Sequence, residues 1–176
     1  MTTSQPEPWL RGALPGIHPL LQPAAHAFVM AREDVTAAVE GLAPLEVWTA
    51  PYGVTPIGFH VSHLSGSTDR LLTYARGAAL DDEQKAALGR ERMMAVERPP
   101  IEHLVADWHA TVDRALAQLA ATDPATLTEP REVGRDRLPS TVLGLIFHAA
   151  EHASRHTGQV VSVAKLVRAA TAAGDP

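Results

Sequence analysis

Apolar residues recur every three or four positions in four long segments of the chain, which is the spacing of one face of an α-helix. These segments fall in the proline-free windows 24–43, 57–98, 101–123 and 140–175. Proline costs about 3 kcal/mol inside a helix, so long helices form where it is absent. Four helices that each carry one apolar stripe bury those stripes by packing together. The pattern therefore predicts an all-α fold, a four-helix bundle.

Residues just before two of these windows predict where the helices begin. Thr55 followed by Pro56 is typical of an N-cap followed by the first helical residue, here of the second helix. Ser140 or Thr141 is the corresponding capping residue for the last helix.

Polar segments connect the predicted helices. The acidic start of residues 81–89 predicts a short helix inside a long crossover between the second and third helices. Residues 124–139 are interrupted by proline and glycine, which predicts a loop with room for a short extended hairpin. Residues 1–16 are predicted to form an irregular N-terminal segment, and residues 17–173 a single four-helix-bundle domain.

The composition excludes several classes of function. The chain has 176 residues, a net charge of −5 and no cysteine, so disulfides, thiolate catalysis and cysteine-ligated metals are excluded. It has no lysine- and arginine-rich stripe of the kind that binds nucleic acid. It also lacks a run of about 18 apolar residues, the length needed to span a membrane. Residues 1–16 do not follow the pattern of a signal peptide, and we therefore expect a cytoplasmic protein.

Histidine is the candidate chemical residue, because the chain has nine of them and three lie four residues apart in the last helix. At 100° per residue, His156 lies about 20° from the direction of Ala149 and Val167, deep in the apolar face. His152 lies about 60° away at the edge of that face, and His148 about 100° away on the polar side. Two inward histidines one turn apart have the spacing of paired metal ligands.

The second helix supplies a third imidazole from His60 or His63. The helical wheel alone favours His60, which lies at the edge of the apolar stripe, over His63, which is farther round. A set of three histidines binds Zn²⁺, Ni²⁺ or a similar divalent ion and leaves positions open for water or substrate. The alternative is a group of core histidines that are satisfied by hydrogen bonds without a metal.

Residues 63–70 (HLSGSTDR) and 152–159 (HASRHTGQ) resemble the two motifs of the DinB/YfiT-like superfamily of metal-dependent enzymes. The resemblance extends over roughly residues 17–170 and implies a four-helix bundle with a long crossover between helices 2 and 3. It also implies that His63, His152 and His156 are the metal ligands. His60 is then a neighbouring partner or a substitute ligand. Gln159 is a candidate hydrogen-bond partner, and we expect Gly158 to allow close approach of another helix.

The same resemblance implies a class of activity. Characterised members of the superfamily include transferases and isomerases that use low-molecular-weight thiols such as bacillithiol, mycothiol or glutathione. For this chain it implies a thiol S-transferase-like activity on a small electrophilic substrate. Two alternatives stay open: a metal-dependent hydrolase, and a non-catalytic, stress-related module for metal binding or dimerisation.

The resemblance also implies a homodimer. The last helix carries a second apolar ridge that a partner subunit would cover, consisting of Leu143, Phe147, Ala150 and Val161. The alternative is that the N-terminal segment around Trp9 and Leu10 covers this ridge within one chain.

Overall fold

The computed structural model describes residues 5–91 and 93–173, and helices account for most of them. The described helices are α1 (Gln22–Val39), α2 (Pro44–Trp48), α3 (Ile57–Ala75), α4 (Asp82–Glu91), α5 (Met94–Glu97), α6 (Ile101–Ala121) and α7 (Val142–Ala173). The four longest, α1, α3, α6 and α7, correspond to the four predicted helices. The prediction of an all-α fold is confirmed.

Each long helix packs against two others. Helix α3 contacts α7 and α6, and α1 contacts α7 and α6 as well. Helices α3 and α6 run parallel. Near their starts, Ser62 of α3 and Leu104 of α6 line one cavity. Near their ends, the Gln118 side chain of α6 donates a hydrogen bond to the Leu72 carbonyl of α3. A parallel pair needs a return connection, which α4 and α5 provide. The predicted bundle with a long crossover is therefore confirmed. Its core includes Phe28, Ile57, Leu64, Trp108 and Ile146, all fully buried.

The capping predictions are confirmed for one helix and wrong for another. Thr141 accepts a hydrogen bond from the Gly144 amide at 3.0 Å, which caps the first turn of α7. Helix α3, in contrast, begins at Ile57, and Pro56 rather than Thr55 is its N-cap. Pro56 has an extended backbone (φ −61°, ψ 152°) and no side-chain acceptor, so the first turn has no side-chain cap.

The connections match the sequence pattern. The predicted short helix over 81–89 is α4, which extends two residues further, to Glu91. The predicted extended hairpin is also confirmed, as strands β1 (Pro130–Val133) and β2 (Leu138–Thr141) pair antiparallel. Gly134 turns the chain after β1 with a φ of 71°, a conformation that glycine adopts readily.

The N-terminal segment lies on α1. Residues 1–4 of the predicted irregular segment lie outside the described residues. Pro8–Leu10 forms one 3₁₀ turn that packs against α1, and Arg11 pairs with Glu33 of α1 at 2.6 Å. Phe147, on the second ridge of α7, remains 64% exposed. The homodimer stays a prediction, and so does the division of the chain into 1–16 and 17–173.

None of the described helices has a stretch that is long and apolar enough to cross a bilayer.

Two glycines within helices have opposite surroundings. A Cβ on Gly58 of α3 would lie 2.5 Å from the ring of Trp48, so glycine is what lets α2 approach α3. A Cβ on Gly158 of α7 would meet no atom within 4 Å. The expectation that Gly158 allows close helix approach is therefore wrong, because no neighbouring element lies against that position.

We expect Gly58→Ala and Gly158→Ala to change stability in opposite directions. Overpacking against Trp48 should cost about 1–3 kcal/mol. Alanine at the exposed helical position 158 should stabilise by about 0.5–1 kcal/mol, because glycine loses more backbone entropy on folding. Urea unfolding of both variants beside the parent chain measures the difference. Equal midpoints for the two variants would contradict the packing described for α2 and α3.

Candidate metal centre

Three histidine side chains from two helices converge between α3 and α7. His63, His152 and His156 each present a ring nitrogen, and these atoms all lie within 4.8 Å of one another. The Nε2 atoms of His63 and His152 are 3.0 Å apart. The ring of His156 lies 4.5 Å, centre to centre, from the rings of both other histidines. The structure thus brings together the three histidines that the family resemblance implies are metal ligands.

Burial keeps two of these imidazoles neutral. It lowers the pKa of His156 to about 4, with smaller contributions from the neighbouring imidazoles of His63 and His152. Burial also lowers the pKa of His152, and the proximity of His63 adds to this effect. A neutral imidazole carries a nitrogen lone pair at neutral pH, which is the form that coordinates metals.

A buried carboxylate orients the third imidazole. Glu91, the last residue of α4, lies with Oε2 3.0 Å from His63 Nδ1 and Oε1 2.5 Å from Arg70 Nη1. Burial raises the pKa of Glu91, but hydrogen bonds from His63 and Arg70 outweigh it and leave this pKa below its ordinary value. When His63 Nδ1–H donates to Glu91, the Nε2 lone pair of His63 is left for the three-histidine cluster.

Gly66 makes room for this carboxylate. A Cβ at residue 66 would overlap Oε1 of Glu91 and lie 2.7 Å from Arg70 Nη1. Gly66, in the HLSGSTDR motif, therefore allows Glu91 of the crossover to pack against α3.

Glu91 is not among the site residues predicted from the sequence. One local signal is that Glu91 ends its helix, where the helix dipole disfavours a negative charge. An acidic residue at that position indicates a positively charged or hydrogen-bonding partner in another part of the chain. Only the structure shows which residues those partners are.

His60 lies behind the cluster. It is 6% exposed, and its Nδ1 is 3.0 Å from His156 Nδ1. Burial lowers its pKa, and His63 adds to the shift. The prediction that His60 is more buried than His63 is confirmed. His60 is not one of the three converging residues, and its contact with His156 is that of a neighbouring partner.

Gln159 and His148 are not among the three converging residues, although the ring of His148 lies 5.6 Å, centre to centre, from the ring of His152. Gln159 is exposed on α7. His148 is also exposed, and its Nδ1 lies 3.4 Å from Glu151. The side chain of Thr157 is buried, and its hydroxyl has no hydrogen-bond partner among the described residues.

The donor set fits a divalent metal ion. Three imidazoles suit zinc, nickel and similar ions, and a set of three leaves coordination positions for water or substrate. His152 Nδ1 is buried and has no hydrogen-bond partner in the described part of the chain, so the cluster is not satisfied by protein groups alone. The three-histidine cluster is thus equipped to bind a metal ion.

Comparison with known proteins agrees with this geometry. A family model described as the DinB superfamily matches residues 27–160, which include all three converging histidines and Glu91. No curated protein matches the chain. The match covers most of the chain, and the helical bundle and histidine cluster are in accord with it. The chain belongs to the DinB superfamily.

Proposed function

We propose that the protein is a divalent-metal-dependent enzyme that transfers a low-molecular-weight thiol to a small electrophilic substrate. The observation that carries the proposal is the convergence of His63, His152 and His156 in a chain without cysteine. A three-histidine set leaves coordination positions for an incoming ligand. Because the chain has no cysteine, a thiol nucleophile must arrive with a cosubstrate.

The residues around the cluster hold it in place. Glu91 fixes the ring of His63 from α4, and His60 contacts His156 from α3. Phe59 stacks on His63 with an interplanar angle of 5° and a centre-to-centre distance of 5.7 Å. This aromatic face limits access of water to one side of His63. The ligands therefore do not depend on a metal for their orientation.

A zinc or nickel ion in this cluster would supply Lewis acidity and lower the pKa of a bound thiol. The thiolate sulfur attacks an electrophilic carbon and forms a carbon–sulfur bond. The leaving group departs with the electron pair of its bond to that carbon, and the thiol proton passes to solvent. His63, His152 and His156 would hold the metal ion, and no side chain of the protein acts as the nucleophile.

The surrounding carboxylates favour thiol transfer over hydrolysis. Many hydrolases use a carboxylate as the general base that accepts a proton from the attacking water. Both oxygens of Glu91 are engaged, by His63 and Arg70, and Glu151 is engaged by Arg155 on the surface. A thiol is far more acidic than water before either is bound, so a metal ion has to lower its pKa much less to leave the nucleophile deprotonated without a base.

The test is an assay of thiol transfer. The chain is loaded with Zn²⁺ or Ni²⁺ and incubated with glutathione, bacillithiol or mycothiol and with 1-chloro-2,4-dinitrobenzene. We expect thioether formation above the rate without protein for at least one thiol, and its loss in His63→Ala. The control is His103→Ala, which removes an exposed histidine on α6 and should keep the rate. A metal-loaded chain that accelerates the reaction with none of the thiols would contradict the proposal.

A further inference from the structure

The rings of His60 and His156 meet behind the three-histidine cluster and connect α3 with α7. Their Nδ1 atoms are 3.0 Å apart, and their ring centres are 5.2 Å apart. The first separation is a hydrogen-bond distance. Burial lowers the pKa of both histidines and so favours the neutral rings. Because a neutral imidazole has one donor and one acceptor nitrogen, one ring of this pair donates and the other accepts.

The direction of this hydrogen bond decides whether His156 can coordinate a metal ion. Its Nδ1 is engaged by His60, so Nε2 is the nitrogen left for the cluster with His63 and His152. If His60 donated, the proton of His156 would lie on Nε2, and that nitrogen would have no lone pair for the ion. If His156 donates, its proton lies on Nδ1 and Nε2 keeps the lone pair. Only the second direction allows coordination through Nε2.

The position of His60 suits an acceptor better than a ligand. His60 is 6% exposed and is not one of the three converging residues. His63 meets His152 and His60 meets His156, so α3 and α7 run antiparallel and successive turns of the two helices face each other. One turn of α3 therefore provides a ligand, and the turn before it provides a partner for the ligand on the facing helix.

We propose that His60 is a positioning residue of the metal centre, whose Nδ1 accepts the Nδ1–H of His156 and so directs the Nε2 lone pair of His156 to the metal ion. Glu91 has the corresponding role for His63, with a carboxylate in place of a neutral ring. His60 then carries its own proton on Nε2. The inference rests on the metal-binding part of the proposed function and is independent of thiol transfer.

The first measurement is the position of the ring protons, by nitrogen NMR of the isotope-labelled, metal-free chain. We expect the proton of His156 on Nδ1 and that of His60 on Nε2. In His60→Leu the Nδ1–H of His156 has no acceptor on α3, and we expect part of the proton population to move to Nε2. The reverse arrangement in the parent chain, with the proton of His60 on Nδ1 and that of His156 on Nε2, overturns the proposal.

The second measurement is zinc affinity, by competition with a zinc indicator. We expect His60→Leu to bind zinc about 10–100-fold more weakly, as is usual when the partner of a histidine ligand is removed. His60→Asn places a carbonyl oxygen near the position of the original Nδ1 and should recover most of this affinity. The control is His26→Leu, the same substitution on α1 outside the cluster, which should bind zinc as the parent chain does.

Cooperative thermal unfolding of each metal-free variant shows that it is folded. Equal zinc affinity of the parent chain and His60→Leu overturns the proposal, and so does an equal loss in His60→Leu and His60→Asn. Coordination of zinc by Nδ1 of His156, measured by the same NMR experiment on the loaded chain, also overturns it. Zinc binding that depends on His60 in a chain without thiol transfer would contradict the proposed function and support the role of His60.

Discussion

The double substitution His152→Ala/His156→Ala is expected to abolish binding of a divalent metal ion, which the parent chain should hold at about one per chain. Two of the three converging nitrogens are lost, and the single remaining imidazole of His63 cannot hold an ion tightly. Elemental analysis of untagged protein purified without a chelator measures the metal content directly. Addition of Zn²⁺ or Ni²⁺ to the chelator-treated protein tests uptake.

The matched control for this variant is His103→Ala/His109→Ala. It also removes two histidines, but both lie on α6 and neither belongs to the cluster. We expect it to retain the metal. Zinc should also raise the melting temperature of the parent chain and the control but not of the cluster variant, because a ligand stabilises only the fold that binds it. A parent chain that takes up neither Zn²⁺ nor Ni²⁺, or a cluster variant that keeps its metal, would contradict the metal centre.

The fold was predictable because the sequence signals for its helices lie within each helix and recur at every turn. Each long helix carries an apolar stripe over five or more turns, and prolines mark the gaps between the helices. Single residues were less predictable. The Thr55–Pro56 pair predicts that Thr55 caps α3, yet Pro56 is the N-cap and the helix begins one residue later, at Ile57. Such shifts of one residue follow from competing local conformations that a sequence pattern does not rank.

The site was predictable only where its residues share one helix. The direction of His152 and His156 follows from the wheel of α7, because both are measured against the same stripe. Family resemblance favours His63, which is one of the three converging residues, whereas burial alone favours His60, which is not. Glu91 is 28 residues from its histidine partner and reaches it only because the crossover folds back over α3. The apolar periodicity of a single helix cannot predict a contact between two different helices.

The substitution Glu91→Ala is expected to cost about 3–5 kcal/mol of folding stability, because it leaves the charge of Arg70 buried without a partner. The side chains of Arg70 and Glu91 are only 11% and 8% exposed. Urea unfolding measures the loss. In the double variant Glu91→Leu/Arg70→Met both charges are removed, and most of the stability should return. Glu151→Ala breaks the exposed pair with Arg155 and should change the midpoint little.

The carboxylate of Glu91 should also affect the affinity of the three-histidine cluster for a metal ion. Glu91→Gln retains the shape of the side chain but removes its charge, and we expect it to weaken metal binding about 10–100-fold, as is usual for groups that orient a histidine ligand. Gly66→Ala should weaken binding in the same direction without altering the carboxylate chemically, because its Cβ occupies the place of Glu91 Oε1. Competition with a zinc indicator measures both affinities. Unchanged affinity in both variants would show that His63 is positioned without Glu91, and the crossover would then have no part in the metal centre.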